Sequence, residues 1–228
     1  MKKKLCCLFG LLLAGASVQA QIASWNFNSL SLSASDTNST SLFSVPADTG
    51  SGTASGVHAS SDVFSTPVGN GSAESISATK WAVGDYWQFR TSTLGSSGIE
   101  VSWNQTSSST GPGKGLLEYS TDGSTFTAFG VDYTILADGS PHAAWNATTH
   151  SSFYTFLYDL SSITVLNNAP SVYFRLVDDS TASAGLGTVG TAGTDRVDNF
   201  TVAVVPEPAS AILGGLCFLV WSLLRRRN

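Results

Sequence analysis

Apolar and polar residues alternate in short runs through the middle of the chain. In residues 99–104, Ile99, Val101 and Trp103 fall on one face and polar residues on the other, which predicts a half-buried strand. Residues 86–91 form a similar run, with Gly and Ser turn residues between the two segments. The pattern therefore predicts that these two segments pair as antiparallel neighbours.

Further runs of this kind predict strands at 25–27, 57–58, 115–120, 125–129, 153–159, 171–177 and 197–204. Asp122-Gly123 predicts a tight hairpin turn, and one helical turn is expected at 159–163. Short strands separated by turns, with no long helical period between the two ends, predict an all-β fold. We expect a two-sheet antiparallel β-sandwich of jelly-roll-like form.

The N-terminal third has a weaker pattern than the rest of the body. Residues 29–38 and 48–61 are rich in Ser, Gly and Thr and contain few large apolar residues. This composition predicts long loops, with disorder as the alternative.

The N-terminal end has the order of a secretory signal. Lys2, Lys3 and Lys4 precede an apolar run over 5–16, and small residues stand three and one positions before the bond after Ala20. The run is too short for a helix that crosses a ~30 Å hydrocarbon core. We expect residues 1–20 to be a signal peptide, removed after Ala20.

The C-terminal end carries a second apolar segment. Pro206-Glu207-Pro208 precedes an uncharged stretch over 209–224, and Arg225, Arg226 and Arg227 follow it. Sixteen residues make a helix of about 24 Å, which flanking arginines and interfacial Trp221 can extend to a membrane span. Because Lys and Arg mark the cytoplasmic side, the body is expected outside the inner membrane.

These C-terminal features resemble a known bacterial sorting signal. Val205-Pro206-Glu207-Pro208, the apolar segment and the terminal arginines over 225–228 are similar to the PEP-CTERM signal of exopolysaccharide-producing bacteria. The resemblance covers about 24 residues. It implies that a membrane protease of the exosortase type recognises the tail, and that the mature protein reaches the cell surface or the extracellular matrix.

The body between the two ends, residues 21–205, is expected to form one extracytoplasmic domain. It has five Lys and Arg against 15 Asp and Glu, a formal net charge of −10. This charge argues against nucleic acid and anionic polymers, and it fits neutral glycans or divalent cations better. Cys6, Cys7 and Cys217 all lie in the end segments, so the body contains no disulfide.

Runs over 84–87, 108–115, 118–126, 174–176 and 196–202 resemble jelly-roll modules of secreted bacterial proteins, including carbohydrate-binding ones. The resemblance implies a structural Ca²⁺ held by Asp198 and Asn199 with Asn26 and Asn28 from the first strand, since this ion takes six to eight oxygen ligands. The alternative is that Asp198 and Asn199 only form hydrogen bonds to neighbouring turns. No other cofactor is implied.

Aromatic side chains on a sheet face can stack on sugar rings. Tyr86, Trp87 and Trp145 are the candidates for ligand binding, and Trp145 is expected to be exposed because its neighbours are polar. The alternative is that these rings belong to the core, as expected for Trp103 from its apolar face.

Patterns typical of catalysis are weak in this chain. His58, His142 and His150 lack the spacing of a metalloprotease site, and the body offers no nucleophilic cysteine. Glu100 and Glu118 could in principle form a glycosidase pair, although alternation favours a solvated strand surface for Glu100. We therefore expect no catalytic residue and a non-enzymatic envelope or matrix protein, with exopolysaccharide as a candidate partner. The alternatives are a structural or adhesive matrix protein without a ligand pocket, and a secreted glycan-acting hydrolase.

Overall fold

The structure is a computed structural model that describes residues 20–33, 36, 39–61 and 63–205. Residues 20–205 form a compact unit. Its strands are β1 Gln21–Trp25, β2 Ser41–Pro46, β3 Thr49–Gly50, β4 Gly52–Val57, β5 Phe64–Ser65, β6 Ile76–Ala78, β7 Tyr86–Thr91, β8 Ile99–Ser107, β9 Lys114–Ser120, β10 Thr127–Ala128, β11 Tyr133–Thr134, β12 Thr155–Asp159, β13 Val172–Asp178 and β14 Asp195–Val204.

These strands form two antiparallel sheets of seven strands each. Sheet A has the order β12-β8-β14-β1-β3, and β6, which carries β5, pairs with the first residues of β14. Sheet B has the order β10-β9-β13-β7-β4-β2, with β11 also on β9. Short 3₁₀ turns at Ser152–Tyr154 and Thr164–Leu166 precede and follow β12. The predicted all-β fold of two antiparallel sheets is confirmed.

Apolar side chains from the two sheets meet in a shared core. Phe89 of sheet B stacks on Phe200 of sheet A with ring centres 3.6 Å apart. Trp25 of sheet A contacts both rings edge-on, and its indole nitrogen donates to the Val45 carbonyl. All three aromatic rings are almost fully buried, so the contact between the sheets is the hydrophobic core of a β-sandwich.

The predicted pairing of segments 86–91 and 99–104 is wrong. Both segments are strands, but β7 lies in sheet B beside β13 and β4, whereas β8 lies in sheet A beside β14 and β12. Both strands bury one apolar face, and the connection over 92–98 carries the chain from one sheet to the other. The chain changes sheets again between β8 and β9 and on either side of β13, as chains do in jelly rolls.

Other predicted elements differ in extent. The hairpin at Asp122-Gly123 is confirmed, with Thr127 opposite Tyr119. The helical turn expected at 159–163 lies instead at Thr164–Leu166. The N-terminal third contains more strand than its composition indicates, because small residues of β4 fit against β7: a Cβ on Gly56 would lie 2.8 Å from the Trp87 ring.

The expectations for the two ends fall largely on residues that the structure does not describe. The signal segment up to residue 19, the Pro206-Glu207-Pro208 motif, the apolar stretch over 209–224 and the terminal arginines lie outside the described residues. Among the residues that are described, no helix is long and apolar enough to cross a membrane.

Candidate functional site

The outer face of sheet B carries the side chains most suited to binding a ligand. Alternation along β7 and β13 sends Trp87, Phe89 and Phe174 into the core and turns their neighbours outward. The outward residues are Tyr86, Gln88 and Arg90 of β7, Tyr173 and Arg175 of β13, and Glu118 of β9, with Phe126 from the turn that follows β9. We call this set the platform face.

Arg175 lies at the centre of the platform face. Its guanidinium carbon is 3.9 Å from the centre of the Tyr86 ring and 3.4 Å from the centre of the Phe126 ring. Nε donates to the Gln88 side chain at 2.9 Å and Nη2 to the Tyr86 hydroxyl at 3.1 Å. These cation–π contacts and hydrogen bonds fix two aromatic rings over the sheet, which orders the surface before any ligand arrives.

Phe126 owes its position to the turn before it. The Asp122 carboxylate accepts hydrogen bonds from the Ser124 and Thr125 amides at 2.7 and 2.8 Å and from the Ser120 hydroxyl at 2.9 Å. The Thr125 and Ser124 amides, with that hydroxyl, lower the pKa of Asp122 to about 2. Gly123 has φ of +74°, and a Cβ there would come within 2.9 Å of the Tyr173 ring, so this turn requires glycine.

A cavity of about 220 Å³ opens beside the platform face, where β4 begins, β7 ends and the chain enters β13. Its wall includes Ser51, Thr53, Arg90, Ser92 and Ser171. Arg90 is exposed and donates from Nη2 to the Ser171 hydroxyl at 3.1 Å. The cavity therefore offers hydroxyl groups and one guanidinium within reach of Tyr173, whose ring centre is 5.5 Å from the Arg90 guanidinium carbon.

Of the three aromatic residues expected to bind ligand, only Tyr86 lies on the surface. Trp87 is 1 % exposed, because successive side chains of a strand point to opposite faces and its indole donates to buried Asp195. Trp145 is 4 % exposed, so the expectation of exposure is wrong. The loop that contains Val68 contributes to this burial: the Trp145 indole donates to the Val68 carbonyl at 2.7 Å and packs on Tyr154.

Asp198 is fully buried and joins distant parts of the chain. Oδ2 accepts hydrogen bonds from the Asn70 amide, the Ser72 hydroxyl and the Asn199 side-chain amide at 2.9, 2.5 and 3.0 Å, while Oδ1 accepts from the Asn199 backbone amide at 2.8 Å. Burial raises the pKa of Asp198 to about 6 despite these donors, which lower it. The carboxylate thus ties the loop around Asn70 to β14.

The same contacts bear on the expected calcium site. Asn26 Oδ1 accepts from the Asn28 amide at 3.0 Å, and Asn28 Oδ1 accepts from the Glu74 amide at 3.1 Å. Asp198 and the side chains of Asn26 and Asn28 therefore already accept hydrogen bonds from protein donors, as the hydrogen-bonding alternative predicts. Over the residues with described positions, no cluster of three or more His, Cys, Asp or Glu suited to a metal is found. Calcium binding stays a prediction, and the contacts favour the hydrogen-bonding alternative.

A second buried carboxylate, Asp195, belongs to the core. It accepts hydrogen bonds from Trp87 Nε1 at 3.1 Å and from Gln105 Nε2 at 3.0 Å, and Gln105 Oε1 in turn accepts from Trp103 and Tyr133 at 2.9 Å each. Burial raises the pKa of Asp195 to about 7. This network satisfies the polar tips of three large aromatic residues between the sheets.

The residues considered for catalysis do not come together. Glu100 and Glu118 lie in different sheets, β8 and β9, and both point away from the core, so they do not form a glycosidase pair. Glu100 is 9 % exposed rather than solvated. His58 is buried and pairs with Asp85 at 3.2 Å, whereas His142 contacts Phe153.

Five residues of the platform face were missed from the sequence: Gln88, Arg90, Phe126, Tyr173 and Arg175. Tyr173 and Arg175 alternate with buried Val172, Phe174 and Leu176, so the period of two carried a signal for their outward direction. Phe126 lies in a turn, where no period applies.

Comparison with known proteins finds similarity in strand arrangement only. No protein-family model and no curated protein sequence matches the chain. Among solved structures, it is similar to the K1 cleaved adhesin domain of Lys-gingipain from Porphyromonas gingivalis W83, with 13 % identity and a TM-score of 0.41, over 80 % of this chain and 97 % of that one.

It is also similar to the CBM22-2 xylan-binding domain of Paenibacillus barcinonensis Xyn10C, with 12 % identity and a TM-score of 0.38, over 83 % of this chain and 100 % of that one. The N-terminal cellulose-binding domain of Cellulomonas fimi β-1,4-glucanase C has 11 % identity and a TM-score of 0.34, over 64 % of this chain and 84 % of that one. Likeness this distant does not transfer a ligand, so a ligand must be inferred from this chain's own side chains.

Proposed function

We propose that this chain is an exported, non-enzymatic envelope or extracellular-matrix protein whose β-sandwich binds extracellular polysaccharide through the platform face. The observation that carries the proposal is the trio of aromatic rings, Tyr86, Phe126 and Tyr173, set around Arg175 on the outside of sheet B. Aromatic rings pack on the apolar faces of sugar rings, while neighbouring polar groups bond to hydroxyls.

The dimensions of the platform face suit a chain-like ligand. From Tyr86 to Arg90 the strand advances about 13 Å, at ~3.3 Å per residue. Gln88 and Glu118 lie among the rings and offer an amide and a carboxylate to sugar hydroxyls. An open face with several rings fits an extended polysaccharide better than a small molecule, which is usually enclosed in a deep pocket.

The cellular location of the protein is proposed from the sequences of its two ends. The basic and apolar residues up to Ala20 support export, and Val205-Pro206-Glu207-Pro208 with the apolar segment and terminal arginines supports sorting by an exosortase-type protease at the inner membrane. Truncation after Val205 tests this part. We expect loss of membrane retention in cell fractionation with unchanged folding, whereas continued retention would contradict it.

Affinity electrophoresis tests the binding itself. The full-length protein, kept in mild detergent, is run through native gels that contain a panel of soluble neutral and acidic polysaccharides. We expect retardation by at least one polymer and loss of that retardation in Phe126→Ala. Migration that no polymer changes would contradict polysaccharide binding and favour a structural role, and release of soluble sugars from the polymer would contradict the non-enzymatic assignment.

A further inference from the structure

The cavity at the end of the platform face is lined by Arg90, whose guanidinium forms few hydrogen bonds within the protein. A guanidinium has five N–H donors. In Arg90, the hydrogen bond from Nη2 to Ser171 uses one of them. Within the described part of the chain, no carboxylate forms an ion pair with Arg90, while Lys114 and Arg196 pair with Asp132 and Asp138.

The placement of Arg90 is fixed by its neighbours. Its guanidinium carbon lies 5.5 Å from the centre of the Tyr173 ring. The Ser171 hydroxyl, directly before β13, accepts a hydrogen bond from Arg90 Nη2. Arg90 thus lines the cavity and is exposed to solvent. Because these contacts already order the guanidinium, less side-chain conformational entropy is lost when an anion binds.

The charge of this region differs from that of the body. The body has a formal net charge of −10, yet the residues that define the platform face include two basic side chains, Arg90 and Arg175, and one acidic side chain, Glu118. A net charge describes the whole domain and does not exclude a local site for an anion.

The other groups of the cavity suit a sugar. Ser51, Thr53 and Ser171 line its wall, and their hydroxyls can both donate and accept hydrogen bonds, whereas the Ser92 hydroxyl already bonds to the Ala169 carbonyl and the Leu94 amide. At about 220 Å³ the cavity lies below the ~300–1,000 Å³ of sites for drug-sized molecules and suits a single sugar unit. A planar guanidinium fork matches a planar carboxylate through two parallel hydrogen bonds.

Building on the proposed function, we propose that this cavity is a subsite for a uronic-acid residue of an acidic polysaccharide, with its carboxylate bound by Arg90. Tyr173 lies between the cavity and the Phe126–Arg175 contact, so a polymer that stacks on these rings would deliver one sugar unit to the cavity. The rings supply affinity for any polymer of suitable shape, and Arg90 selects the acidic one.

The test compares each acidic polymer with its own neutral form. Polygalacturonate and alginate, before and after chemical reduction of their carboxyl groups, are presented to the full-length protein by affinity electrophoresis. We expect at least one acidic polymer to bind at least fivefold more tightly than its reduced form. Arg90→Gln should remove that preference, so that the acidic and the reduced form bind equally to the variant, and Arg196→Gln, a change of the same type on sheet A, should keep it.

The outcomes separate this inference from the proposed function. Equal binding of acidic and reduced polymers, or a preference that survives Arg90→Gln, would overturn the uronate subsite and leave polysaccharide binding in place. A preference for a sulfated galactan over both uronates would also overturn it, because the site would then serve sulfate. Absence of binding to the whole panel, neutral polymers included, would overturn both.

Discussion

The guanidinium carbon of Arg175 lies 3.4 Å from the centre of the Phe126 ring, a contact that joins the middle of β13 to the turn after β9. Glu118 is the cross-strand neighbour of Arg175, yet the guanidinium bonds to Gln88 and Tyr86 on the other side. The contact therefore keeps a phenyl ring above a polar sheet surface and leaves the Glu118 carboxylate for a ligand.

Phe126→Ala should weaken polysaccharide binding by about five- to tenfold, since loss of one stacking ring is worth on the order of 1 kcal/mol. The ring is only half-buried and lies outside the core, so the melting temperature should stay nearly constant. Isothermal titration with the polymer identified by electrophoresis measures the change.

Phe153→Ala provides the matched control for this prediction. Phe153 is 57 % exposed and precedes β12 on the other sheet. Its removal should leave the affinity unchanged. Equal weakening by both substitutions would mean that the effect is not specific to the platform face.

The sequence was sufficient for the fold class because the alternation is local. Ile99, Val101 and Trp103 point inward as their period requires, and Asp122-Gly123 forms the expected hairpin turn. It was not sufficient for the pairing of β7 with its neighbours, because alternation gives each strand an inner face but does not specify which sheet the strand joins.

The site was harder to predict for a related reason. Whether an aromatic ring is exposed depends on what covers it, and Trp145 is covered by loops distant in sequence, such as the one containing Val68. Phe126 is partly exposed because a turn holds it, and its partner Arg175 lies 49 positions later in the chain. No local pattern encodes such a contact.

Stability should decrease as the pH rises from about 5 to 8. Burial raises the pKa of Asp195 to about 7 and those of Asp178 and Asp198 to about 6, against 3.8 for the unfolded chain. At pH values between the unfolded and the folded pKa of each group, the folded protein binds a proton that the unfolded chain has released. The free energy of unfolding therefore falls as pH increases. We expect a fall on the order of 3 kcal/mol.

Urea unfolding followed by tryptophan fluorescence at pH 5, 6.5 and 8 measures this fall. Asp85 acts in the opposite sense, because its bonds to His58, Ala82 and Ala59 outweigh the effect of burial and lower its pKa. Its stabilisation is lost only below about pH 4, outside the measured window. An unfolding midpoint that is constant or rises from pH 5 to 8 would contradict the prediction.

Asp178→Asn should stabilise the protein at pH 8 and not at pH 5. Oδ2 of Asp178 is buried and has no hydrogen-bond partner among the residues described, so the ionised form is poorly solvated. Removal of that charge should raise the free energy of unfolding by about 1–2 kcal/mol at pH 8. Exposed Asp179 gives the control, since Asp179→Asn should change stability by less than about 0.5 kcal/mol at either pH. Equal effects of Asp178→Asn at the two pH values would exclude ionisation as the cause.

Asp198→Asn should destabilise the protein by about 2–4 kcal/mol, because the new amide would place its own donors against some of the groups that now donate to the carboxylate. The loss should exceed that of Ser72→Ala, which removes one of the four donors. Chemical unfolding at pH 7.5 compares the two variants with the parent protein.

The melting temperature of the parent protein distinguishes hydrogen bonding from calcium binding at Asp198. Since protein donors already occupy both carboxylate oxygens, the melting temperature should be the same in chelator and in millimolar Ca²⁺. A ligand that binds only the folded state raises stability by mass action, so a calcium site would appear as a higher melting temperature. A rise of several degrees in Ca²⁺ that Asp198→Asn abolishes would show that the loop around Asn70 rearranges to release the carboxylate for the ion.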